Sequence, residues 1–475
     1  MDTEKIGIIG GGTAGLVTAL ILKTKFPTKS ISIIKSDNIG IIGVGEGTTE
    51  HWTHFMNFVG IDRNELIAKT DATLKYGVMF ENWTDESFLH AVPDNINEIR
   101  LGQYPAGYGK IISEKKSTKS LNSVCAWSKT VDENNLPYQY HFDTFKLNNF
   151  LEQKCLEKNI SILKDEITEV NYNDKQIVSL KSNTTTYNFN FYIDCTGFKK
   201  LLISKLGAKW NSYSDYLKVN SAIAFQTPDT DEYNPYTLAV AMNHGWMWRI
   251  PVWGRWGNGY VYSDKHTDQE QAKQEVEKYL GYEIEIRKSV KFDPGCLDKS
   301  WIGNCAAIGL SSNFVEPLEA TSIGSTINQV FILMHYLQNY NQTSINIYND
   351  KVTKVLENIR DFIVLHYQVN KQNSNFWKDC NKTGVPLQLE QRMNRWKNNL
   401  PIKEDIVTTD YVLFHEQNWI NVLHGINWFN TDKICEEYDQ IDSNIRQKID
   451  QVLIQNAPST VGHKAYISAI RTAVL

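Results

Sequence analysis

A glycine-rich turn between a short apolar strand and a helix constrains this chain more than any other segment. The turn is GGGTAG at residues 10–15, after the β-branched run KIGIIG (5–10) and before a helical periodicity that ends at Pro27. The apolar strand ISIIK (31–35) follows directly. Strand, turn, helix and strand within about 30 residues form a βαβ unit, which requires a right-handed crossover and a parallel sheet.

The glycine spacing predicts a dinucleotide site. Gly10 permits the tight turn, Gly12 lets the backbone approach a pyrophosphate, and Gly15 lets the helix pack on the strand. A carboxylate usually ends the second strand and binds the ribose hydroxyls, but Lys35 occupies that place. The lysine could reach a phosphate, or a backbone group or Asp37 could hold the ribose. Only one such fingerprint occurs, which indicates one dinucleotide and no second site for a nicotinamide.

The remaining pattern predicts more strands and then helices. Alternating strands over 161–194 indicate a β-meander joined to the first sheet, a strand-rich stretch covers 218–262, and WIGNCAAIGL (301–310) is typical of one buried strand. Later segments have apolar residues at three- and four-residue spacing. We therefore expect an α/β plus α fold, with a Rossmann-type domain over 1–330 and a mainly helical region over 331–475.

Composition excludes several classes of partner. Forty-nine Lys+Arg against 54 Asp+Glu give a net charge of -5, so no basic excess exists to neutralise nucleic acid. No apolar run is long enough to span a bilayer, and the start MDTEK lacks the features of a signal peptide, so we expect a cytoplasmic protein without a membrane partner. The seven cysteines are scattered along the chain and form no CxxC motif. His51 and His54 have a helix-like spacing, but no third ligand stands out, so no metal site is predicted.

Further motifs occur in a fixed order along the chain. They are GVGEGTTEHW (43–52), LKYGVMFENW (74–83), YHFD (140–143), YIDCTGF (192–198), GWMWRIP (245–251) and GNCAAIGLSSNFVEPLEATSI (303–323). Together they resemble the flavin-dependent tryptophan halogenase family over most of residues 5–330, in the family's order, and weakly at FHEQNWINVLHGINW (414–428). The combination of GVGEGT, a WxWxIP element and PLEATS makes this resemblance a specific one.

The resemblance implies a glutathione-reductase-like, FAD-binding domain. The positions that match the family's FAD contacts are Gly10, Gly12, Thr13, Ala14, Gly15, Gly43, Val44, Gly45, Glu46, Leu310 and Ile323. The family's halide position, for chloride, bromide or iodide, falls on Thr321 and Ser322, where backbone N–H groups at a helix start can hold a small anion. Tryptophan-specific members more often have glycine at the second of these positions.

The resemblance also implies the reaction. Reduced FAD and O2 convert halide to hypohalous acid, which reaches a separate electron-rich aromatic substrate. Lys75 matches the catalytic lysine, whose ammonium can hydrogen-bond the hypohalous oxygen or, when deprotonated, form an N-haloamine. Glu319 matches the catalytic glutamate, which takes the arenium proton or stabilises the charge on the ring, and Glu316 is the alternative carboxylate.

The WxWxIP element is expected to keep the substrate away from the flavin. Its tryptophans are Trp246 and Trp248, which would line a passage wide enough for a small oxidant and too narrow for an arene. Packing in a buried strand is the alternative role for either ring. Arg249 stands between these rings and Pro251, and its cation is costly to bury unpaired.

Substrate and partners are only partly specified. The C-terminal region, including KICEEYDQID (433–442), lacks the family's pattern for binding free tryptophan, so another indole, a phenol, a pyrrole or a range of arenes fits as well. Because no nicotinamide site is evident, we expect a separate flavin reductase; a homo-oligomer is compatible with the sequence. The alternative functions are an FAD-dependent aromatic monooxygenase and a flavin-binding protein without turnover.

Overall fold

The structure, a computed structural model, describes residues 3–40, 46–92, 121–132, 138–447 and 460–475. The chain forms two compact units, each assembled from three segments. The first unit comprises Met1–Thr70, Asp143–Tyr213 and Asp293–Ile359, and the second comprises Asp71–Phe142, Ser214–Phe292 and Arg360–Leu475. The boundary predicted near residue 330 lies inside a helix, Thr321–Tyr336. Contacts between segments that are distant in sequence define these units. The pattern of apolar residues along the chain does not show such contacts.

A six-stranded sheet organises the first unit and confirms the predicted βαβ start. Lys5–Ile9 lies between Ser30–Lys35 and Phe191–Asp194, parallel to both, and the helix Thr13–Lys25 makes the first crossover. The order across the sheet is Trp301–Ile302, Cys305–Ala307, Phe191–Asp194, Lys5–Ile9, Ser30–Lys35 and Ser161–Lys164. Its central strands Lys5–Ile9 and Phe191–Asp194 are almost entirely buried, as parallel strands covered on both faces require.

The predicted meander is confirmed in its middle part. Glu169–Asn173, Gln176–Lys181 and Thr186–Tyr187 form an antiparallel sheet, whereas the two ends of 161–194 join the parallel sheet. A further antiparallel sheet of the first unit contains Trp210–Ser212, Gly295–Leu297 and Asn313–Phe314.

The prediction of one strand over 301–310 was wrong. Trp301–Ile302 and Cys305–Ala307 form an antiparallel hairpin, and the 3-10 turn Gly309–Ser311 follows. Gly303 reverses the chain with φ +57°, where any side chain would collide with the Lys175 carbonyl. The glycine was visible in the sequence, but its positive φ was not.

A seven-stranded sheet organises the second unit. Its order is Ile286–Lys291, Ser221–Pro228, Arg255–Tyr262, Gly245–Val252, Thr237–Ala241, Gly77–Glu81 and Phe88–Ala91. All pairs are antiparallel except that between Thr237–Ala241 and Gly77–Glu81. Two short antiparallel pairs also belong to this unit, namely Thr73–Lys75 with Gln139–Phe142, and Thr130–Asp132 with Thr460–Gly462.

Helices cover these sheets and dominate the chain beyond residue 330, as the apolar spacing predicts. The first unit also contains His51–Val59, Arg63–Thr70, Thr144–Glu157 and Thr321–Tyr336. Gln342–His366 includes residues of both units. The second unit contains Leu121–Ser128, Gln269–Leu280, Asn375–Lys382, Leu387–Trp396, Lys403–Ile406, Glu416–Gly425, Thr431–Asp439 and His463–Val474. Among the described residues, no helix combines the length and hydropathy needed to cross a bilayer.

Candidate active site

A cavity of about 610 Å3 opens at the carboxyl ends of the parallel strands in the first unit. Ile9, Ile34 and Cys195 mark the ends of three strands on its wall, and the glycine loop forms another part of that wall. Ligands of doubly wound sheets bind at this edge, and a volume of several hundred Å3 suits a cofactor. The fold thus places the predicted dinucleotide site in an existing cavity.

The three glycines of the fingerprint have different physical roles. Gly10 adopts φ +115°, and a side chain there would collide with the Cys195 carbonyl. A side chain on Gly15 would collide with the Gly10 carbonyl, so both positions need glycine for the fold itself. Gly12, in contrast, has an ordinary φ of -77°, and a Cβ there would meet nothing within 4 Å. Its missing side chain therefore leaves room for a ligand rather than for protein.

The helix Thr13–Lys25 starts at this loop without a side-chain cap. Its first-turn N–H groups and the positive end of its dipole are suited to a phosphate. Thr13 and Ala14 line the cavity, and Asn148 donates a hydrogen bond from Nδ2 to Thr13 Oγ1 at 3.1 Å. Sequence reasoning missed Asn148, since only the fold brings its helix to the loop. Loop and helix start together match the shape and charge of a pyrophosphate.

The second predicted loop is described only in part. Gly43, Val44 and Gly45 lie outside the described residues, whereas Glu46 lines the cavity. Part of Glu46 is exposed, but its Oε2 is buried and has no hydrogen-bond partner among the described residues. Burial raises the pKa of this carboxyl to about 7. An enclosed, unpaired carboxyl on a cavity wall is suited to a polar group of a ligand.

The PLEATS segment forms a second wall of the cavity. Leu310, Ser322 and Ile323 line it, whereas Thr321 is buried at the first position of the helix Thr321–Tyr336. This helix also lacks a side-chain cap, so its first N–H groups can donate hydrogen bonds to an anion.

Glu319 has a strained backbone directly before that helix. Glu319 and Ala320 adopt φ values of 64° and 55°, in the left-handed region that residues other than glycine rarely occupy. Such residues cost on the order of 1–3 kcal/mol each and concentrate at functional sites. The Glu319 side chain is 5% exposed, and Glu316 is buried as well. The short strand Glu46–Gly47 contacts this turn, so Glu46 and the Glu319 turn are neighbours within the first unit.

Lys75 lies in the second unit and is 1% exposed. A lysine is almost never fully buried unless it is paired. It ends the strand Thr73–Lys75, which pairs with Gln139–Phe142. Burial, followed by the charge of Lys75, lowers the pKa of His141 on that neighbouring strand well below its usual range. His141 is therefore neutral, and it adds no second cation beside the lysine.

Two hydrogen bonds fix the strand that carries Lys75. Thr73 donates from Oγ1 to the Pro251 carbonyl at 2.7 Å, which ties this strand to GWMWRIP. Leu74 donates its N–H to Nε2 of His463 at 2.9 Å. Burial lowers the pKa of His463 to about 3, which keeps the imidazole neutral and able to accept. The YHFD motif contains His141, but the sequence alone assigned this histidine no role. No residue pattern near His463 indicates that it contacts the Lys75 strand.

The tryptophans of GWMWRIP lie on one face of their strand. Trp246 is buried, its indole N–H has no partner among the described residues, and its ring centroid lies 6.2 Å from that of Trp248. Trp248 is half-buried and lies over Gly259 of the adjacent strand, where any side chain would collide with its ring. Arg249 is half-buried and donates from Nε to Asn258 at 3.2 Å, so its charge is not isolated.

Of the predicted cofactor residues that the structure describes, all but Gly15 line one cavity of the first unit. The structure also joins Lys75 and the tryptophan strand through Thr73 within the second unit. Lys35, which replaces the usual carboxylate, forms an ion pair with Glu152, a residue that sequence reasoning missed. In the described part of the chain, no group of three or more His, Cys, Asp or Glu side chains could hold a metal ion.

Comparison with known proteins gives one consistent result. The family model described as tryptophan halogenase matches residues 5–439. The chain is 30% identical to a 7-chloro-L-tryptophan 6-halogenase of Kutzneria sp., over 84% of this chain and 86% of the relative. It is also 30% identical to a tryptophan 6-halogenase of Streptomyces toxytricini, over 85% and 86% of the two chains.

Solved structures agree with these relatives. The tryptophan halogenase of Shewanella frigidimarina superimposes with a TM-score of 0.87 at 25% identity, over 99% of this chain and 98% of that one. A flavin-dependent halogenase of Xanthomonas campestris gives 0.85 at 27% identity, over 98% of each chain. The likeness therefore extends over nearly the whole fold.

Proposed function

The chain belongs to the tryptophan halogenase family, and from this premise we propose that it halogenates an electron-rich aromatic compound through Lys75 and Glu319. The enzymes of this family are flavin-dependent halogenases that need a separate flavin reductase, and the monooxygenase alternative is not favoured. The observation that carries the residue-level proposal is the buried Lys75, fixed by its strand to the tryptophan segment.

The cavity of the first unit fits FAD. Gly10, Gly12 and the helix start at Thr13 would hold the pyrophosphate, and Leu310 and Ile323 would lie against the flavin ring. Bound FAD, once reduced and exposed to O2, would supply the chemistry that oxidises halide to hypohalous acid. Below pH 7 the protonated Glu46 can donate a hydrogen bond to the bound cofactor, and above that pH it can accept one. Gly43, Val44 and Gly45 remain predicted contacts.

Gly12→Val is expected to weaken FAD binding at least about tenfold without unfolding the protein. The valine side chain would project into the open space before Gly12, and the backbone there suits any residue. Gly12→Ala, which adds one methyl group, should have a smaller effect. Flavin titration measures affinity, and melting of the cofactor-free protein measures stability. Full FAD affinity in Gly12→Val would contradict the assignment of this cavity.

The halide site is proposed at the start of the helix Thr321–Tyr336. Backbone N–H groups of Thr321 and Ser322 can hold an anion there, and Ser322 borders the cofactor cavity. The Ser322 hydroxyl adds a donor that glycine would lack. Chloride, bromide and iodide all remain candidates for this site.

Lys75 and Glu319 divide the halogenation step. The Lys75 ammonium donates a hydrogen bond to the oxygen of hypohalous acid, and the ring carbon bonds the halogen as the O–halogen bond breaks. The departing hydroxide takes a proton from the Lys75 ammonium to become water, and Glu319 takes the ring proton from the arenium ion. Solvent then returns a proton to Lys75 and removes the one held by Glu319. In the alternative route, neutral Lys75 attacks the halogen of hypohalous acid, the O–halogen bond breaks, and the hydroxide leaves as water with a proton of the amine. The N–halogen bond then breaks as the ring carbon takes the halogen, the nitrogen regains a proton, and Glu319 takes the ring proton.

Trp248→Ala is expected to loosen the separation between substrate and flavin. The ring of Trp248 is half-buried and lies over Gly259, so its removal opens space on that face of the strand. We expect the ratio of halogenated product to O2 consumed to fall severalfold, with hydroxylated product appearing. Trp248→Phe is the matched control and should retain most coupling. Unchanged product and coupling in Trp248→Ala would reduce the ring to a packing role.

The substrate class is tested with a panel of aromatics. The relatives named above act on tryptophan or 7-chloro-L-tryptophan, so these compounds belong beside other indoles, phenols and pyrroles. The purified protein with FAD, NADH, bromide and O2 should form brominated product only after a flavin reductase is added. Oxidation of NADH by the protein alone would contradict the need for that partner.

A further inference from the structure

The second strand of the parallel sheet ends in a cation, Lys35, where doubly wound folds usually place a carboxylate for the ribose. Lys35 lines the cofactor cavity, and its stem packs against Gly11. Asp37, the nearest acid in sequence, is 56% exposed and pairs with Lys164 at 3.0 Å. The end of this strand therefore lacks the carboxylate that usually binds the ribose. Asp37, the nearest acid in sequence, is instead paired with Lys164.

A helix from a later segment supplies an acid at the same place. Thr144–Glu157 turns Phe145, Asn148, Asn149 and Glu152 toward the cavity, at the three- and four-residue spacing of one helical face. Glu152 Oε1 forms an ion pair with Lys35 Nζ, and the two side chains are 24% and 20% exposed. Asn148, one turn earlier, already contacts the glycine loop through Thr13.

We propose that Glu152 carries the ribose-binding role that Lys35 cannot perform. A carboxylate has about four acceptor positions on two oxygens, so the ion pair through Oε1 leaves Oε2 for the hydroxyls of the adenosine ribose of FAD. Lys35 orients the carboxylate through the ion pair. The proposal rests on the FAD cofactor proposed above, and it places the adenosine half of FAD along the face of the helix Thr144–Glu157.

Two other acids on the cavity wall, Asp165 and Glu166, have different partners. Asp165 accepts a hydrogen bond from the Tyr187 hydroxyl at 2.7 Å, and hydrogen bonds lower the pKa of its carboxyl. Glu166 accepts from the Ser36 hydroxyl at 3.1 Å. Glu152 forms an ion pair with Lys35, the residue at the usual ribose-binding position. We therefore assign the ribose-binding role to Glu152 among the acids that line the cavity.

The test compares FAD with FMN, which lacks the adenosine half. Titration of the cofactor-free protein should show FAD binding about tenfold weaker in Glu152→Gln, with FMN binding unchanged. Asp37→Asn is the matched control and should leave both affinities unchanged. Lys35→Met removes the ion pair but keeps the carboxylate, so its loss of FAD affinity should be smaller than that of Glu152→Gln.

A second measurement is independent of the flavin. In competition experiments the parent protein should prefer ADP to 2′-deoxy-ADP, and Glu152→Gln should bind both equally. Equal losses of FAD and FMN affinity, an unchanged FAD affinity, or a loss in Lys35→Met as large as in Glu152→Gln would overturn the proposal. Failure of the parent protein to bind FAD would instead contradict the cofactor assignment itself.

Discussion

Lys75→Met is expected to lower the formation of halogenated product by about 1,000-fold or more, while FAD binding and the oxidation of halide continue. The substitution removes the only group proposed to polarise the halogen, and loss of such an electrostatic contact costs about 100- to 1,000-fold or more. Methionine keeps much of the buried stem, so the strand should stay packed. Product is measured by mass spectrometry, and free hypohalous acid by a chemical trap.

The control for this variant is another lysine of the same unit. Lys129 is half-exposed and lies 3.9 Å from Glu232, so Lys129→Met should retain full activity. Removing one member of a buried charged contact costs stability, so the melting temperature of Lys75→Met is expected to fall, and it is measured beside activity to show that the variant still folds. Retained halogenation in Lys75→Met would remove Lys75 from the mechanism.

Glu319→Gln is expected to lower kcat for halogenation by about 100-fold, within the range found for general acid–base catalysis. Glutamine keeps the shape of the side chain but cannot take the arenium proton. Flavin affinity and the yield of hypohalous acid should remain unchanged, because neither requires this carboxylate. Rapid mixing of the reduced protein with O2, bromide and substrate, followed by quenching, measures the rate of the ring-bromination step.

The matched control is Glu316→Gln, three residues earlier and also buried. It should retain halogenation, although loss of its native contacts can lower the melting temperature. The opposite pattern, with Glu316→Gln inactive and Glu319→Gln active, would transfer the role to Glu316. The strained backbone at Glu319 favours our assignment, since Glu316 is not among the residues with positive φ.

Local patterns correctly predicted the βαβ start of the first unit. The strand–glycine–helix unit at residues 5–35 depends on neighbours in sequence, so its geometry follows from spacing alone. The hairpin within 301–310 was missed because the apolar run continues through it, while the turn depends on the positive φ of Gly303. Periodicity shows burial but does not show where a buried chain reverses.

Long-range partners could not be predicted from the sequence. Glu152 lies 117 residues from Lys35, and His463 lies 389 residues from Leu74, so no local pattern joins either pair. Motifs indicated the candidate site residues, whereas partners such as Glu152 and His463 emerged only from the fold.

The most direct test of the central claim is a single turnover with bromide present or absent. The protein is loaded with FAD, reduced without oxygen, and then mixed with O2 and the aromatic panel. Mass spectrometry should show a product with the isotope pattern of bromine only when bromide is present, with none in Lys75→Met. A hydroxylated product formed equally with and without bromide would contradict the account.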